Sequence, residues 1–481
     1  MPEPARVAID LGAESCRVSL LRWIGGVPAV EVIHRIPNGP KHRGDSLYWS
    51  LTGILAGLEE GLRKAAAAAS EGIASIGVDS WSVDYVRLGP DGKMLAEPFC
   101  YRDERTVKSK QAADAMVSPF EIYRRTGAYP IGLNSVYQLM ADPAAGIDKR
   151  APWVMLPEFV LYWLSGRRVA EYTNATHTGL VNLKTGAWDA ELFGTLGLAF
   201  EAAPPLVPTG TVLGPIQGPL AELEAFRSTQ IVAPATHDTA SAIAGIPADM
   251  SSTAYISSGT WSLVGAVTHT PVTTQHAFDA GYTNIGAAGG GLLFHSLINS
   301  MWVLKQCMDA WAAAGRPWPI EKLVQEAAAC SADAATGVLD MDAPTLMLDK
   351  DMPERINSEL TRLGFDAIPD VAGNEPLFAR TIFESLALRY ASAIHNLEIM
   401  LDRKLERIHM TGGATRNKLL VALTEKQTGL KVEIGNAESS TVGNLAIQLA
   451  AGEARGARVT PAEIRKWAER LCEKQGTANR E

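Results

Sequence analysis

A carboxylate can take a proton, backbone N–H groups in a tight turn can hold an anion, and oxygen side chains can hold a hard cation. The chain offers candidates for each. His237-Asp238-Thr239 lies in VAPATHDTASAIAG, ahead of an alanine-rich stretch. Asp238 can act there as a base toward a hydroxyl, and Asp238 or Thr239 can equally cap the helix that follows. Asp10-Leu11-Gly12-Ala13-Glu14-Ser15 ends an apolar run. A carboxylate there can hold Mg2+ directly or through water. Gly12 and Ala13 allow phosphate close to the backbone. The alternative is an ordinary hairpin with an aspartate in its turn. A second turn, Ser257-Ser258-Gly259-Thr260, repeats the pattern about 250 residues later. Thr411-Gly412-Gly413-Ala414-Thr415-Arg416-Asn417 joins a strand to a helix. It can present a flat backbone to an adenine ring or simply make a tight connection. Val78 to Val86 mixes aromatic and polar residues, including Trp81 and Ser82. Such a segment suits a sugar, and Trp81 suits a core equally well. Tyr101 to Thr106 pairs arginines with carboxylates and reads also as a structural ion-pair cluster.

The elements around these residues explain their placement. RVAID and CRVSLLRW flank the first turn, and STAYI and WSLVGAV flank the second. Alternation in the second member of each pair marks strands. Walker and dinucleotide loops open helices, so neither reading fits. Two such turns can hold one phosphate chain between two lobes. The first ~36 residues read as three strands, the second turn lying at Gly25–Gly26. SLTGILAGLEEGLRKAAAAA reads as a helix with Leu51, Ile54, Leu55, Leu58 and Leu62 on one face. IASIGVD is the next strand. Three strands, a helix and a strand begin a ribonuclease-H-like layer, and the second half repeats the design. There a long helix runs over Pro376 to Leu401, followed by the strand RIHM, the TGGATRN loop, a helix, the strand KVEIG, the loop NAESS and a last helix.

Length divides the 481 residues into domains at 1–247 and 248–455, with a helical tail at 456–481. Hydrophobic content of 47% and charged content of 20% fit a globular protein. A net charge of −9 argues against nucleic acid or an anionic membrane as partner. The five cysteines show no CxxC spacing and read as free thiols. With no signal pattern and no bilayer-length apolar run, a cytoplasmic location is expected.

Together these motifs resemble the FGGY family of carbohydrate kinases, in the superfamily of actin, hexokinase and the Hsp70 ATPase domain. DLGAES, DSWSVDY, YRDERT, THDTASA, SSGTWSL, TGGATRN and ESSTVGN stand in family order from Ala8 to about Ala451. The resemblance implies an α/β fold of two ribonuclease-H-like domains with an interdomain catalytic cleft. It also implies ATP and Mg2+ as cofactors and a ketose as the small-molecule partner. Asp238 becomes the catalytic base. Trp81, Ser82, His237, Asp238 and Thr239 become sugar contacts. Ala13, Glu14, Ser15, Arg17, Gly259, Thr260 and Gly413 become ATP contacts, and Asp10 the metal ligand. Within the family, DSWSVDYV, EYTNATHTGLVNL and NAESSTVGNLAIQL are similar to the rhamnulokinase branch, which phosphorylates L-rhamnulose on its C1 hydroxyl. Kinases of L-fuculose, L-ribulose, D-xylulose or a polyol are the alternatives, and a non-catalytic sugar- or ATP-binding regulator is a remote one. The chain departs from the family pattern at Ser82 and Ala414, where glycines are expected. Leu297 and Lys305 stand where an Asn and a Gln are expected, with Asn299 and Gln306 close by.

Overall fold

A computed structural model describes residues 3–331, 337–348, 350–436 and 438–473. Ala437 of the NAESS loop and the end of the tail, 474–481, lie outside the described residues. The chain divides into two units. Unit 1 is Met1–Ala248, Thr268–Phe294 and Glu438–Glu481, and unit 2 is Asp249–Val267 and His295–Ala437.

In unit 1 the first apolar run is β1, Ala5–Leu11. It turns at the predicted place into β2, Ser15–Ile24, antiparallel, with Leu11 opposite Cys16. The turn at Gly25–Gly26 leads into β3, Val27–Pro37. On its other side β1 runs parallel to β4, Ile73–Ser80, which sets Asp10 beside Asp79. With β5, Thr211–Pro215, and β6, Gln230–Ala233, the sheet order is β5-β6-β4-β1-β2-β3. The helix Leu51–Ala68 buries Leu51, Ile54, Leu58 and Leu62, as its period predicts, and leaves Leu55 half-buried. Its face meets Val7, Ile9 and Val18 in one core.

Unit 2 is built on the second strand pair. Here β7, Thr253–Ser258, and β8, Trp261–Thr268, are antiparallel, with Ser258 opposite Ser262. β9 is Leu292–Asn299, of which His295–Asn299 belongs to this unit. β7 runs parallel to β10, Arg407–Thr411, which runs parallel to β11, Lys431–Ile434. The order β9-β8-β7-β10-β11 reproduces β3-β2-β1-β4-β6 of unit 1. The sequence repeat is therefore a structural repeat, because in both sheets the first strand is central and its turn is open at one end. The long helix spans Glu375–Leu401 and buries Phe378, Ile382, Leu386, Tyr390, Ile394 and Leu397.

Unit 1 is completed by the helix Ser439–Ala454, apolar almost all round and correspondingly buried. It packs against the short helix Asp238–Ala244. A Cβ on Gly443 would collide with the Ser241 carbonyl, so only glycine permits that approach. The helix Pro461–Cys472 opens with a Thr460–Glu463 capping box and buries Ile464, Trp467 and Leu471. No helix among the described residues is long and apolar enough to cross a membrane.

Candidate active site

The first turn is held by its own backbone and by a residue the sequence did not single out. Gly12 donates its N–H to the Ser15 carbonyl at 3.2 Å. Asn38 donates from its side chain to the Gly12 carbonyl at 2.9 Å and from its N–H to the Glu14 carbonyl at 2.9 Å. Ala13 and Ser15 are half-buried and Glu14 is exposed, so the turn presents its outer edge to solvent. Arg17, from β2, reaches back to Asp10 Oδ2 at 2.6 Å and pairs with Glu438 at 2.5 Å. Ser440 also donates to Asp10 Oδ2, at 2.7 Å. Burial pushes the Asp10 carboxyl up, Arg17 and Ser440 pull it down, and the charge of Asp238 adds to the rise.

Beside Asp10, Asp79 is fully buried, and Asn444 donates to its Oδ2 at 2.6 Å. Its Oδ1 is buried without a partner. Burial and the charge of Asp10 push Asp79 well above the carboxylate range. Gln448, one turn after Asn444, donates to the Val7 carbonyl and to Asn444. The helix Ser439–Ala454 thus carries Ser440 to Asp10 and Asn444 to Asp79.

Asp238 is the first residue of its helix, and His237 is the N-cap. The Asp238 carboxylate accepts from the Thr239 N–H and, at 3.1 Å, from the Thr239 hydroxyl. No side chain caps the helix at His237, so the expected cap by Asp238 or Thr239 is not formed, and the Asp238 side chain remains 40% exposed. Crowding by protein atoms still removes enough water to push its pKa up to about 6. His237 is buried, which lowers its pKa to about 3 and keeps the ring neutral. Its Nε2 stands 3.3 Å from Asp238 Oδ1, and its ring lies against that of His177 with centroids 3.9 Å apart. Ser80, at the end of β4, bridges in parallel to His237, so Trp81 and Ser82 leave the sheet beside the Asp238 segment.

Trp81 is 8% exposed, and its indole N–H donates to Asp84 Oδ2 at 2.9 Å. Trp49 donates to the same oxygen at 2.6 Å, and the two tryptophan rings lie 4.5 Å apart. Gln138 donates to Asp84 Oδ1 at 3.2 Å. The Tyr101 N–H also donates to Oδ2, at 3.3 Å, and burial pushes Asp84 up to about 6 against these four hydrogen bonds. Val83 takes a φ of 72°, rare for a β-branched residue, and its carbonyl accepts from Ser135 at 2.6 Å and Gln138 at 3.3 Å. Such strain persists only where the surroundings over-determine it. The YRDERT segment is an ion-pair cluster in part: Arg105 and Arg87 share Asp142 at 2.8 and 2.7 Å.

In unit 2 the second turn rests on a buried hydroxyl cluster. The Tyr390 hydroxyl meets Ser262 at 2.6 Å, Ser300 at 3.0 Å and Ser258 at 3.2 Å. The Thr260 carbonyl accepts from the Trp302 N–H at 3.0 Å. Gly259 and Gly413 line one cleft of about 590 Å3, with Met301, Ile320, Val324, Ala414 and Arg416 in its walls. A Cβ on Gly413 would meet nothing within 4 Å, so the room belongs to the cleft. Gly412 differs: its φ is +90°, and a Cβ there would collide with the Ser258 carbonyl. Of the departures, Leu297 is 43% exposed and Lys305 pairs with Asp309. Asn299 is buried and donates to the Leu346 carbonyl at 2.8 Å, so it does not replace Leu297 at the surface. A larger cavity, about 790 Å3, lies among Pro208–Val212, Gly289–Leu292 and Arg458 in unit 1 and contains none of the predicted site residues.

No three His, Cys, Asp or Glu side chains among the described residues converge to hold a metal directly. The partnerless Asp79 oxygen beside Asp10 offers hard donors of the kind a hydrated Mg2+ takes.

Comparison with known proteins places these features. Residues 5–245 match the N-terminal domain of the FGGY family of carbohydrate kinases, and residues 254–452 match its C-terminal domain. A rhamnulokinase from Bacteroides thetaiotaomicron is 34% identical over 93% of this chain and 91% of its own. A rhamnulokinase from Bacillus subtilis is 31% identical over 93% and 90%. Among solved structures, a ligand-bound xylulose kinase from Lactobacillus acidophilus superposes with a TM-score of 0.76 at 18% identity, covering 99% of both chains. Plasmodium falciparum glycerol kinase with ADP superposes at 0.74 and 14% identity, covering 96% of this chain and 92% of that one. The fold is the two-sheet α/β fold of these kinases. Because both family domains match in order across nearly the whole chain, the protein belongs to the FGGY family of carbohydrate kinases and is a sugar phosphotransferase that uses ATP.

Proposed function

We propose that the protein transfers the γ-phosphoryl group of ATP to the C1 hydroxyl of L-rhamnulose, with Asp238 as the base. The observation that carries the mechanism is the state of Asp238. It is open to solvent, set at a helix start, and its pKa of about 6 leaves it ionised yet basic at neutral pH. As the hydroxyl oxygen attacks the γ-phosphorus, Asp238 accepts the hydroxyl proton and ADP departs. Because the transition state is loose, much of the contribution of Asp238 is orientation of the hydroxyl.

The sugar contacts are Trp81, Ser82, His237 and Thr239, on a platform that Asp84 holds through both indoles. A neutral His237 suits hydrogen bonding to a sugar hydroxyl without competing for the proton. The ATP contacts are Ala13, Glu14, Ser15 and Arg17 in unit 1 and Gly259, Thr260 and Gly413 in unit 2. The adenosine lies in the cleft lined by Gly413. Mg2+ would be held through water by Asp10, with Asp79 behind it, and would neutralise charge on the phosphates. The reaction fits a cytoplasmic enzyme.

L-rhamnulose is favoured because the similar proteins from Bacteroides and Bacillus bear the name rhamnulokinase along nine-tenths of their length. One departure favours a different ketose: Ser82, half-buried beside the Asp238 segment, stands where a glycine is expected at the sugar. A single changed contact to a hydroxyl can shift discrimination by orders of magnitude. ADP release with L-rhamnulose, L-fuculose, L-ribulose, D-xylulose and glycerol decides it. A clear preference for L-rhamnulose supports the proposal, and a preference for another sugar overturns the substrate while leaving the kinase.

A further inference from the structure

Behind the Asp238 segment lie two glutamates with no exposure and no ion pair among the described residues. Glu158, in the helix Leu156–Ser165, and Glu171, at the start of the short helix Tyr172–Ala175, are both 0% exposed. Thr236 joins them. Its hydroxyl donates to Glu158 Oε1 at 2.6 Å and its N–H to Glu171 Oε2 at 3.1 Å. Two ionised carboxylates sharing such a site without a cation would be costly, so one proton is retained.

Counting donors decides where it sits. Glu171 receives the N–H and hydroxyl of Thr173, the Thr209 hydroxyl at 2.6 Å and the Thr236 N–H. Both backbone N–H groups can only donate and meet Oε2, and the two hydroxyls can donate as well, so an ionised, acceptor-only carboxylate is satisfied at every contact. Glu158 Oε1 receives the Thr236 hydroxyl and the Glu171 N–H, but its Oε2 meets only the amide of Asn174, at 3.1 Å. The Asn174 oxygen is itself buried without a partner. Turning that amide over lets a proton on Glu158 Oε2 donate to the Asn174 oxygen.

We propose that ionised Glu171 is a positioning residue for Asp238, and that Glu158 serves beside it as a neutral acid. Glu171 clamps Thr236, two residues before Asp238. Through Thr173, whose hydroxyl lies 3.4 Å from the His237 N–H, it also holds the segment that carries His177 against His237. Burial pushes Glu158 up to about 7 and raises Glu171 as well, while the hydrogen bonds from Thr173, Thr209 and Thr236 pull Glu171 back down. The inference rests on Asp238 being the base.

The test compares Glu171→Gln with Glu158→Gln. A Gln at 158 reproduces the bonds of the neutral acid, whereas a Gln at 171 removes the charge on which the two N–H groups and the hydroxyls converge. Misplacing a reacting group by about 1 Å costs up to ~100-fold. Glu171→Gln should therefore lose roughly 10- to 100-fold in kcat with KM for ATP unchanged, while Glu158→Gln keeps kcat within about twofold. Equal losses in the two variants, or full activity in Glu171→Gln, overturn the proposal. Infrared spectra read the same assignment even if Glu171→Gln fails to fold. Because buried Asp79 can contribute a band of its own, the reading is the difference spectrum of native protein minus Glu158→Gln: it should show the loss of one protonated-carboxyl carbonyl band, and a difference without that loss contradicts the assignment. Asp238→Asn separates the two claims. If it keeps turnover, the base reading fails; if it is inactive while Glu171→Gln is not, only the positioning role fails.

Discussion

Adjacent glycines at 412 and 413 should give opposite results when each is changed to alanine. Gly412 sits at φ +90°, where an L side chain costs about 1–2 kcal/mol, and its Cβ would collide with the Ser258 carbonyl. The backbone must shift, so Gly412→Ala should destabilise the fold by at least ~2 kcal/mol and displace the second phosphate turn. Gly413 has no left-handed φ, and its Cβ would meet no protein atom within 4 Å. Gly413→Ala should leave the thermal midpoint unchanged or raise it slightly, since such changes typically gain about 0.4–1 kcal/mol. The added methyl projects into the cleft that Gly259 also lines. Overfilling a fitted site costs about 1–3 kcal/mol, which corresponds to a ~5- to 150-fold rise in KM for ATP. KM for the sugar should not move. Thermal unfolding and initial rates at varied ATP and sugar read both effects. An unchanged KM for ATP in a folded Gly413→Ala would refute the assignment of this cleft to the nucleotide. A Gly412→Ala protein as stable as the parent would refute the close approach.

Lowering the pH should protonate Asp238, so kcat/KM for the sugar falls about tenfold per unit below pH ~6 and is flat above it; a profile without that acid limb contradicts a base at this position. Tyr390→Phe removes the hydroxyl that joins Ser258, Ser262 and Ser300, and should cost about 1–3 kcal/mol in urea unfolding, with a raised KM for ATP. The thiols Cys16, Cys100 and Cys307 are buried and pushed up, the first two to about 12. No more than two of the five cysteines should then react promptly with a thiol reagent in the native protein, and all five after denaturation.

Much of the fold was readable because periodicity reports burial on one face of one element. The three strands to Pro37, the Leu51–Ala68 helix and the Phe378–Leu397 stripe all follow from local pattern. The two turns were legible because they repeat. Their supports were not, since those come from distant parts of the chain. Asn444 reaches Asp79 across 365 residues, and no spacing rule reports that. A signal did exist: Asn444 and Gln448 stand four apart in an otherwise apolar helix, where a buried polar pair must have partners. Tyr390 lies among the buried apolar residues of the Glu375–Leu401 helix, and a hydrophobic pattern does not report its hydroxyl. Trp81 illustrates why a core reading and a site reading need not compete. The ring is nearly buried, yet Asp84 fixes its edge beside the Asp238 segment. Trp49 and Glu158 escaped notice, and Asp84 and Glu171 stood inside the DSWSVDY and EYTNATHTGLVNL motifs without a role of their own, because an acid or indole in sequence carries no sign of burial.

The most direct test is 31P NMR of product formation from ATP and L-rhamnulose by the parent enzyme and by Asp238→Asn, with sugar binding measured by calorimetry in both. The account predicts a sugar 1-phosphate with the parent enzyme. In the variant it predicts retained sugar binding and a kcat lower by at least ~100-fold, the low end for a general base. Near-normal turnover in a folded Asp238→Asn protein would contradict it.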